Sequence, residues 1–214
     1  MIYIFYHILC TKNTEELVRD QCVKIIFSGL YEKTENISCF LLGDETYRET
    51  IKNLFAKMGS KFIIAGESTD TGLWERFTLT NIKQFISTND KILYIHSKGI
   101  TRIETDANYS VREWRECMEY WLIAKADECI NKLDEYDMVG LLYYDDPHPH
   151  FSGNFWWSTA KYFLTLPDTI GGGYQDPEMF VQCNKPKIFI IHNPGRGYPG
   201  YTTEGQWTFS TYIM

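Results

Sequence analysis

The chain has no basic cluster. Its 21 Lys and Arg are outnumbered by 28 Asp and Glu, a formal charge of −7, and the cations are scattered. A DNA or RNA groove binder needs a basic footprint to release counterions, so nucleic acid is not expected as a partner. Nothing approaches the length of a membrane span. The opening "MIYIFYHILC" lacks the basic n-region and small-residue cleavage site of a signal peptide, and it reads as a strand. There is no C-x-x-C pair either. The six cysteines (Cys10, Cys22, Cys39, Cys117, Cys129, Cys183) mostly fall inside apolar periodic segments. They read as small buried hydrophobes of a chain kept in a reducing, cytoplasmic compartment. The sequons at Asn36 and Asn108 then carry no weight.

Several catalytic signatures are missing as well. Without G-x-x-x-x-G-K-[ST] the chain is not a P-loop NTPase, and without G-x-S-x-G a Ser-His-Asp hydrolase has no support. Gly171 to Gly173 lack the strand-before, helix-after setting of a dinucleotide fingerprint. His148 and His150 form an H-x-H, but its Pro-interleaved setting, "DDPHPHF", is more often a polar loop than a metal site.

What is present suits one globular core. The 214 residues are expected to form a single domain, 1–214. The final "TTEGQWTFSTYIM" ends without a cap, as it would at the cut end of the N-terminal domain of a longer protein. Aromatics are abundant: with 15 Tyr, 13 Phe and 6 Trp there is more ring surface than such a core needs, so some is expected to line a cleft.

The first half alternates strand and helix. Strands are expected at 2–9, "ISCFLLGD", "KFIIAGES" and "KILYI". Between them lie helices from about Glu15, over "ETIKNLFAKMG", and through "LWERFTLTNIKQFIS". A long helix is expected over roughly 111–133, then strands at "DMVGLL" and "PKIFIIH". This pattern predicts an α/β fold with a mostly parallel sheet and helices on both faces. In such sheets ligands bind beyond the carboxyl ends of strands. There the sequence puts His7, Asp44, Glu67 and Asp70, His96 and Lys98, Asp145 and Asp146, and His192. Any one could be a turn or cap residue. Together they offer carboxylates, imidazoles and a lysine, the groups that hold a metal–diphosphate pair.

The segment "LWERFTLTNIKQFISTNDKILYIHSKG" resembles the part of GT-A fold glycosyltransferases in which an arginine-bearing helix leads into a strand and the D-x-D motif. The retaining glycogenin- and galactosyltransferase-like enzymes are the nearest pattern. "FSGNFWWS" resembles their acceptor-side strand, "GYQDPEMF" their acidic segment, and "IIHNPGRGYPG" their closing I-H-x-x-G, with Gly195 beside His192. "YIHSKG" with "HFSGNFWWS" is similar to glycosyltransferase domains of large DNA viruses of algae and amoebae, which act on capsid proteins in the host cytoplasm. The resemblance runs in order from about residue 3 to 198.

It implies a GT-A-like fold and transfer of a sugar from a nucleotide donor, UDP first, to a hydroxyl of a glycan or glycoprotein, with retention. Donor-binding residues by this reading are Tyr6, His7, Asp70, Arg76, His96, Ser97, Lys98 and Asn154. Catalytic residues are Gln175, Asp176 and Glu178. The chain departs from the family where His96 and Lys98 replace the two metal-binding aspartates. Two arrangements stay open. Lys98 can pair with the diphosphate directly, or a divalent ion, Mn²⁺ by family membership, can be held by His96, His192 and a carboxylate such as Asp145, Asp70 or Asp176. The resemblance favours the metal. At most one of Trp156 and Trp157 is expected in the cleft, because neighbours on a strand face opposite ways.

Two other classes compete. A catalytically silent sugar- or nucleotide-binding module is favoured by the lost D-x-D. A nucleotidyltransferase is disfavoured because "HILCTKNTEE" has no glycine after the first strand.

Overall fold

The structure is a computed structural model, and it describes residues 1–105 and 107–193. The first half follows the expected alternation: β1 (Ile2–Cys10), α1 (Thr14–Phe27), α2 (Leu30–Lys33), β2 (Asn36–Gly43), α3 (Glu45–Met58) and β3 (Phe62–Ser68). Then come α4 (Arg76–Leu79), β4 (Lys91–His96), α5 (Asn108–Glu119) and α6 (Ala126–Lys132). The remainder is β5 (Met138–Leu141), β6 (Tyr143–Tyr144), β7 (His150–Phe151), β8 (Trp156–Thr159), α7 (Ala160–Phe163), α8 (Asp176–Phe180) and β9 (Ile188–His192).

Seven strands form one sheet in the order β3-β2-β1-β4-β8-β5-β9, with β8 antiparallel to both neighbours. Each strand contributes to two cores by simple alternation. Ile4, Tyr6 and Ile8 of β1 pack with Val18, Ile51, Leu54 and Met118 from α1, α3 and α5. Tyr3 and Phe5 face the other way, toward Leu79, Tyr162 and Phe180 of α4, α7 and α8. An α/β fold with a mostly parallel sheet and helices packed on both faces is thus the observed architecture.

Two expected helices are interrupted. The segment from Leu73 to Ser87 forms only α4 and a 3-10 turn at Ile82–Phe85. Trp74 enters it at φ 50, outside helical space, and β-branched Thr78, Thr80 and Ile82 lower the helical preference of the next two turns. The 111–133 helix is broken by a π-turn at Tyr120–Ala124, directly after the buried Glu119. Trp156 and Trp157 are both wholly buried, so neither lines a cleft. Trp157 donates its indole N–H to the Leu122 carbonyl (2.8 Å).

Gly140 governs how the chain approaches the site. A Cβ there would lie 2.5 Å from the Phe151 ring. Only a glycine lets the β6–β7 hairpin lie against β5 and deliver the Ser152–Asn154 turn to the sheet's edge. Gly140→Ala is expected to destabilise the fold by about 1–3 kcal/mol through overpacking, read from urea unfolding. A change within about 0.5 kcal/mol would show that the hairpin is not held by this contact.

Candidate functional site

Strand order reverses at β1. From β1 the chain moves out through β2 to β3, then returns to place β4 on β1's other side. The carboxyl ends of β1 and β4 flank this switch point, where an open α/β sheet leaves a crevice. Registry puts His7 directly beside His96, both on the Phe5 and Tyr94 face.

Both imidazoles are buried, 4% and 8% exposed. Burial, helped by its neighbour His96, pulls the His7 pKa down to about 4, against the pull of Glu75. Burial also pulls His96 down to about 3, assisted by the charge of Lys98. Both rings are therefore neutral near pH 7. The Nε2 of His96 meets the Gly153 carbonyl at 2.9 Å, so it carries the proton and leaves Nδ1 as an acceptor. That Nδ1 faces Glu75 Oε1 at 3.8 Å, too far for a hydrogen bond. His7 Nδ1 lies 2.8 Å from the Thr78 hydroxyl.

Glu75 was missed by sequence reasoning. Its Oε2 accepts from the Tyr94 hydroxyl (2.9 Å) and from the Asn154 side-chain amide (2.5 Å). Asn154 sits at φ 54 and accepts the Trp156 indole N–H on its Oδ1 (2.8 Å). Gly153, at φ 92, donates its N–H to Glu178. A Cβ on Gly153 would strike the Met118 sulfur at 2.6 Å. One turn thus joins His96, Glu75 and Glu178. Burial, with Glu75 nearby, raises the Glu178 pKa against the opposing charge of Lys98.

Lys98 is the cation of this edge. Its ammonium lies 4.2 Å from the centre of the Trp114 ring, half-buried. Among the described residues no carboxylate comes within ion-pair distance of it.

A buried network supports the same loop from the opposite face. Glu119, 1% exposed, accepts from Gln21 (2.8 Å), lies 3.4 Å from Arg115 Nε, and pairs with Lys24. Gln21 also donates to the His96 carbonyl (3.3 Å), and Arg115 to the Lys98 carbonyl (2.9 Å). One carboxylate therefore fixes two side chains, each holding a carbonyl of the His96–Lys98 loop. π-Turns, such as the one following Glu119, often mark functional sites.

The other expected residues divide between the core, the surface and the glycine loop. Tyr6 is fully buried on the far face with its hydroxyl donating to Gln21, so it offers no ring to a base. Ser97 is buried and accepts the Leu9 N–H (3.0 Å), stitching β4 to β1. Asp70 is exposed and caps a turn through the Gly72 N–H (2.9 Å). Arg76 donates to the carbonyls of Gly171 (2.5 Å) and Gly173. Asp176 accepts the Gly173 N–H (2.7 Å), and Gln175 is exposed at the start of α8. Arg76 and Asp176 thus hold the glycine loop, while Glu178 belongs to the site.

Asp145 is exposed beside Tyr143. His192 ends the edge strand β9, stacked 4.8 Å from Trp121. Gly195 lies outside the described residues. His148 is exposed and His150 buried, with His150 Nδ1 on the His148 carbonyl (2.7 Å), so the pair does not chelate.

The metal expectation meets a geometric obstacle. β4 and β9 are separated by β8 and β5, about 14 Å at ~4.8 Å per strand, so His96 and His192 leave the sheet well apart. Among the described residues no three His, Cys, Asp or Glu side chains converge to hold one. The donors that the resemblance implies thus do not converge on one point among the described residues.

The buried groups make two outcomes measurable. Between pH 6.5 and about 4.5 the unfolded chain binds protons that His7 and His96 refuse in the fold. Stability is therefore full above pH 6.5 and falls on acidification, by up to about 2.7 kcal/mol per pH unit for two groups. Glu178 opposes this, so the comparison is with His7→Gln, whose slope should be shallower by up to about 1.4 kcal/mol per pH unit. Equal slopes would mean that His7 titrates normally. Glu119→Ala leaves Lys24 and Arg115 without their buried anion and should cost about 3–5 kcal/mol in urea unfolding; a cost under about 1 kcal/mol would contradict the network.

A family model described as "Domain of unknown function (DUF8361)" matches residues 5–170. No curated protein matches the chain. Among solved structures, 4-diphosphocytidyl-2C-methyl-D-erythritol synthase from Anaerococcus prevotii is similar at 11% identity and TM-score 0.47, over 95% of this chain and 91% of that one. The glycosyltransferase GlyE of Streptococcus pneumoniae is similar at 12% identity and TM-score 0.39, over 89% of this chain and 45% of that one. Scores this low carry no inference about activity. Family membership rests on the long sequence match: the chain belongs to the family of the domain of unknown function DUF8361.

Proposed function

We propose that this chain is a glycosyltransferase that moves a sugar from a nucleotide donor, with UDP as the first candidate, to a hydroxyl of a glycan or glycoprotein. One observation carries the reading. A half-buried lysine without a carboxylate partner among the described residues stands at the switch point, beside two neutral imidazoles and two carboxylates. A cation in a partly dry site is suited to a diphosphate, whose charge grows as its bond to the sugar breaks. Lys98 takes that role. The neutral rings of His7 and His96 can give or accept hydrogen bonds without adding repulsion or charge.

In the proposed step the bond from the anomeric carbon to the diphosphate oxygen breaks. A bond to the acceptor's hydroxyl oxygen forms, and the hydroxyl proton passes to a carboxylate. Glu178 suits this last role because its site raises its proton affinity. Glu75 is suited to the sugar's hydroxyls, and Asn154, buried and donating to it, positions it. Retention of configuration stays with the resemblance.

A silent binding module is favoured by one fact: Arg76 and Ser97, two groups expected on the donor, are already satisfied within the protein. Release of UDP from a panel of UDP-sugars separates the readings, since a silent module binds without release.

Calorimetric titration tests the donor site. UDP should bind equally in Mn²⁺ and in EDTA, and Lys98→Ala should weaken it by about 10- to 100-fold. Binding that requires Mn²⁺ would contradict the assignment of the diphosphate to Lys98. Silence toward UDP and other nucleotides in both conditions would overturn the donor reading.

A further inference from the structure

Two aromatic rings stand exposed beside the site without a role in the donor reading. Trp74 is 45% exposed and Tyr174 74%, and they meet edge to face, 4.7 Å apart at 85°. Each is attached to the machinery described above. Trp74 directly precedes Glu75, and Tyr174 lies on the loop that leads through Asp176 to Glu178.

Their arrangement is held by polar contacts beneath them. Arg76, two residues after Trp74, donates to Gly171 and Gly173, and Asp176 accepts the Gly173 N–H. These bonds tie the Tyr174 loop to the Trp74 segment. Trp74 also takes φ 50, ψ −150, a costly backbone conformation for a bulky residue, and such outliers concentrate at ligand clamps and active sites. Tyr174 hides little of its surface against Trp74, so burial of the two rings does not account for this construction.

We propose that Trp74 and Tyr174 form a corner that receives a pyranose ring of the acceptor glycan. A saturated sugar is thick and presents C–H groups on its face and rim, so it can use two perpendicular aromatic walls at once. A flat nucleobase would engage one wall and leave the other unused. The glycan class thus follows from the angle, and the acceptor role rests on the glycosyl-transfer reading above. Its walls stand one residue before Glu75 and four before Glu178 in the chain, the carboxylates near which an acceptor hydroxyl would have to arrive.

Saturation-transfer NMR on the full chain tests this, using methyl glycosides of a hexose, an N-acetylhexosamine, a pentose and a deoxyhexose, with UDP titrated in parallel. At least one glycoside should receive saturation from the wild-type protein. Trp74→Ala and Tyr174→Ala should weaken that glycoside by about tenfold or more while UDP binding is unchanged. Trp74→Phe, which keeps an aromatic wall, should retain most of the signal, and matching thermal melts exclude misfolding. If Trp74→Ala weakens UDP as Lys98→Ala does, the corner holds the base and the inference is overturned. If no glycoside receives saturation from the wild type although UDP binds, the inference fails and the donor site stands. A glycoside signal that disappears in both alanine variants, in a protein that does not bind UDP, supports the sugar corner and removes the donor reading.

Discussion

The parallel pairing of β1 with β4 is the contact on which the rest of this molecule depends. Both strands are buried on both faces, so their sequences stay apolar until the sheet ends. Polar groups can emerge only there, and the pairing brings His7 and His96 out side by side. The loop after β4 then carries Lys98 over Trp114.

Two carboxylates on opposite faces of the sheet fix that edge. Glu119 works from the α1–α5 side, through Gln21 and Arg115, on the backbone of the His96–Lys98 loop. Glu75 works from the α4 side, through Tyr94 and Asn154. Between them the imidazoles are kept neutral by burial, and the positive charge of Lys98 is left without a carboxylate partner among the described residues. The proposed transfer would use the Lys98 charge to meet the diphosphate as it departs.

The strand–helix alternation of the first half was legible because apolar periods of two and 3.6 change cleanly there. The edge residues His7, His96 and Lys98 were legible for the same reason, standing where apolar runs stop. Tyr6 and Ser97 were assigned to the same cleft, yet alternation along a strand puts neighbours of His7 and His96 on the other face. Glu75 could not be seen because it lies in a segment with helical period, where a carboxylate reads as solvated surface. That segment is not one helix: Trp74 leaves helical space, and this turn is what aims Glu75 at Tyr94. The metal expectation came from resemblance, and strand order, which no local pattern encodes, keeps His192 three strands from His96.

Diffraction from crystals grown with UDP bears most directly on the central claim that the β1–β4 edge is the ligand site. The account predicts diphosphate density within hydrogen-bond reach of Lys98 Nζ, with the nucleoside lying over the ends of β1 and β4. Density instead in the charged groove between α1 and α5, among Lys12, Arg19 and Arg112, would contradict it.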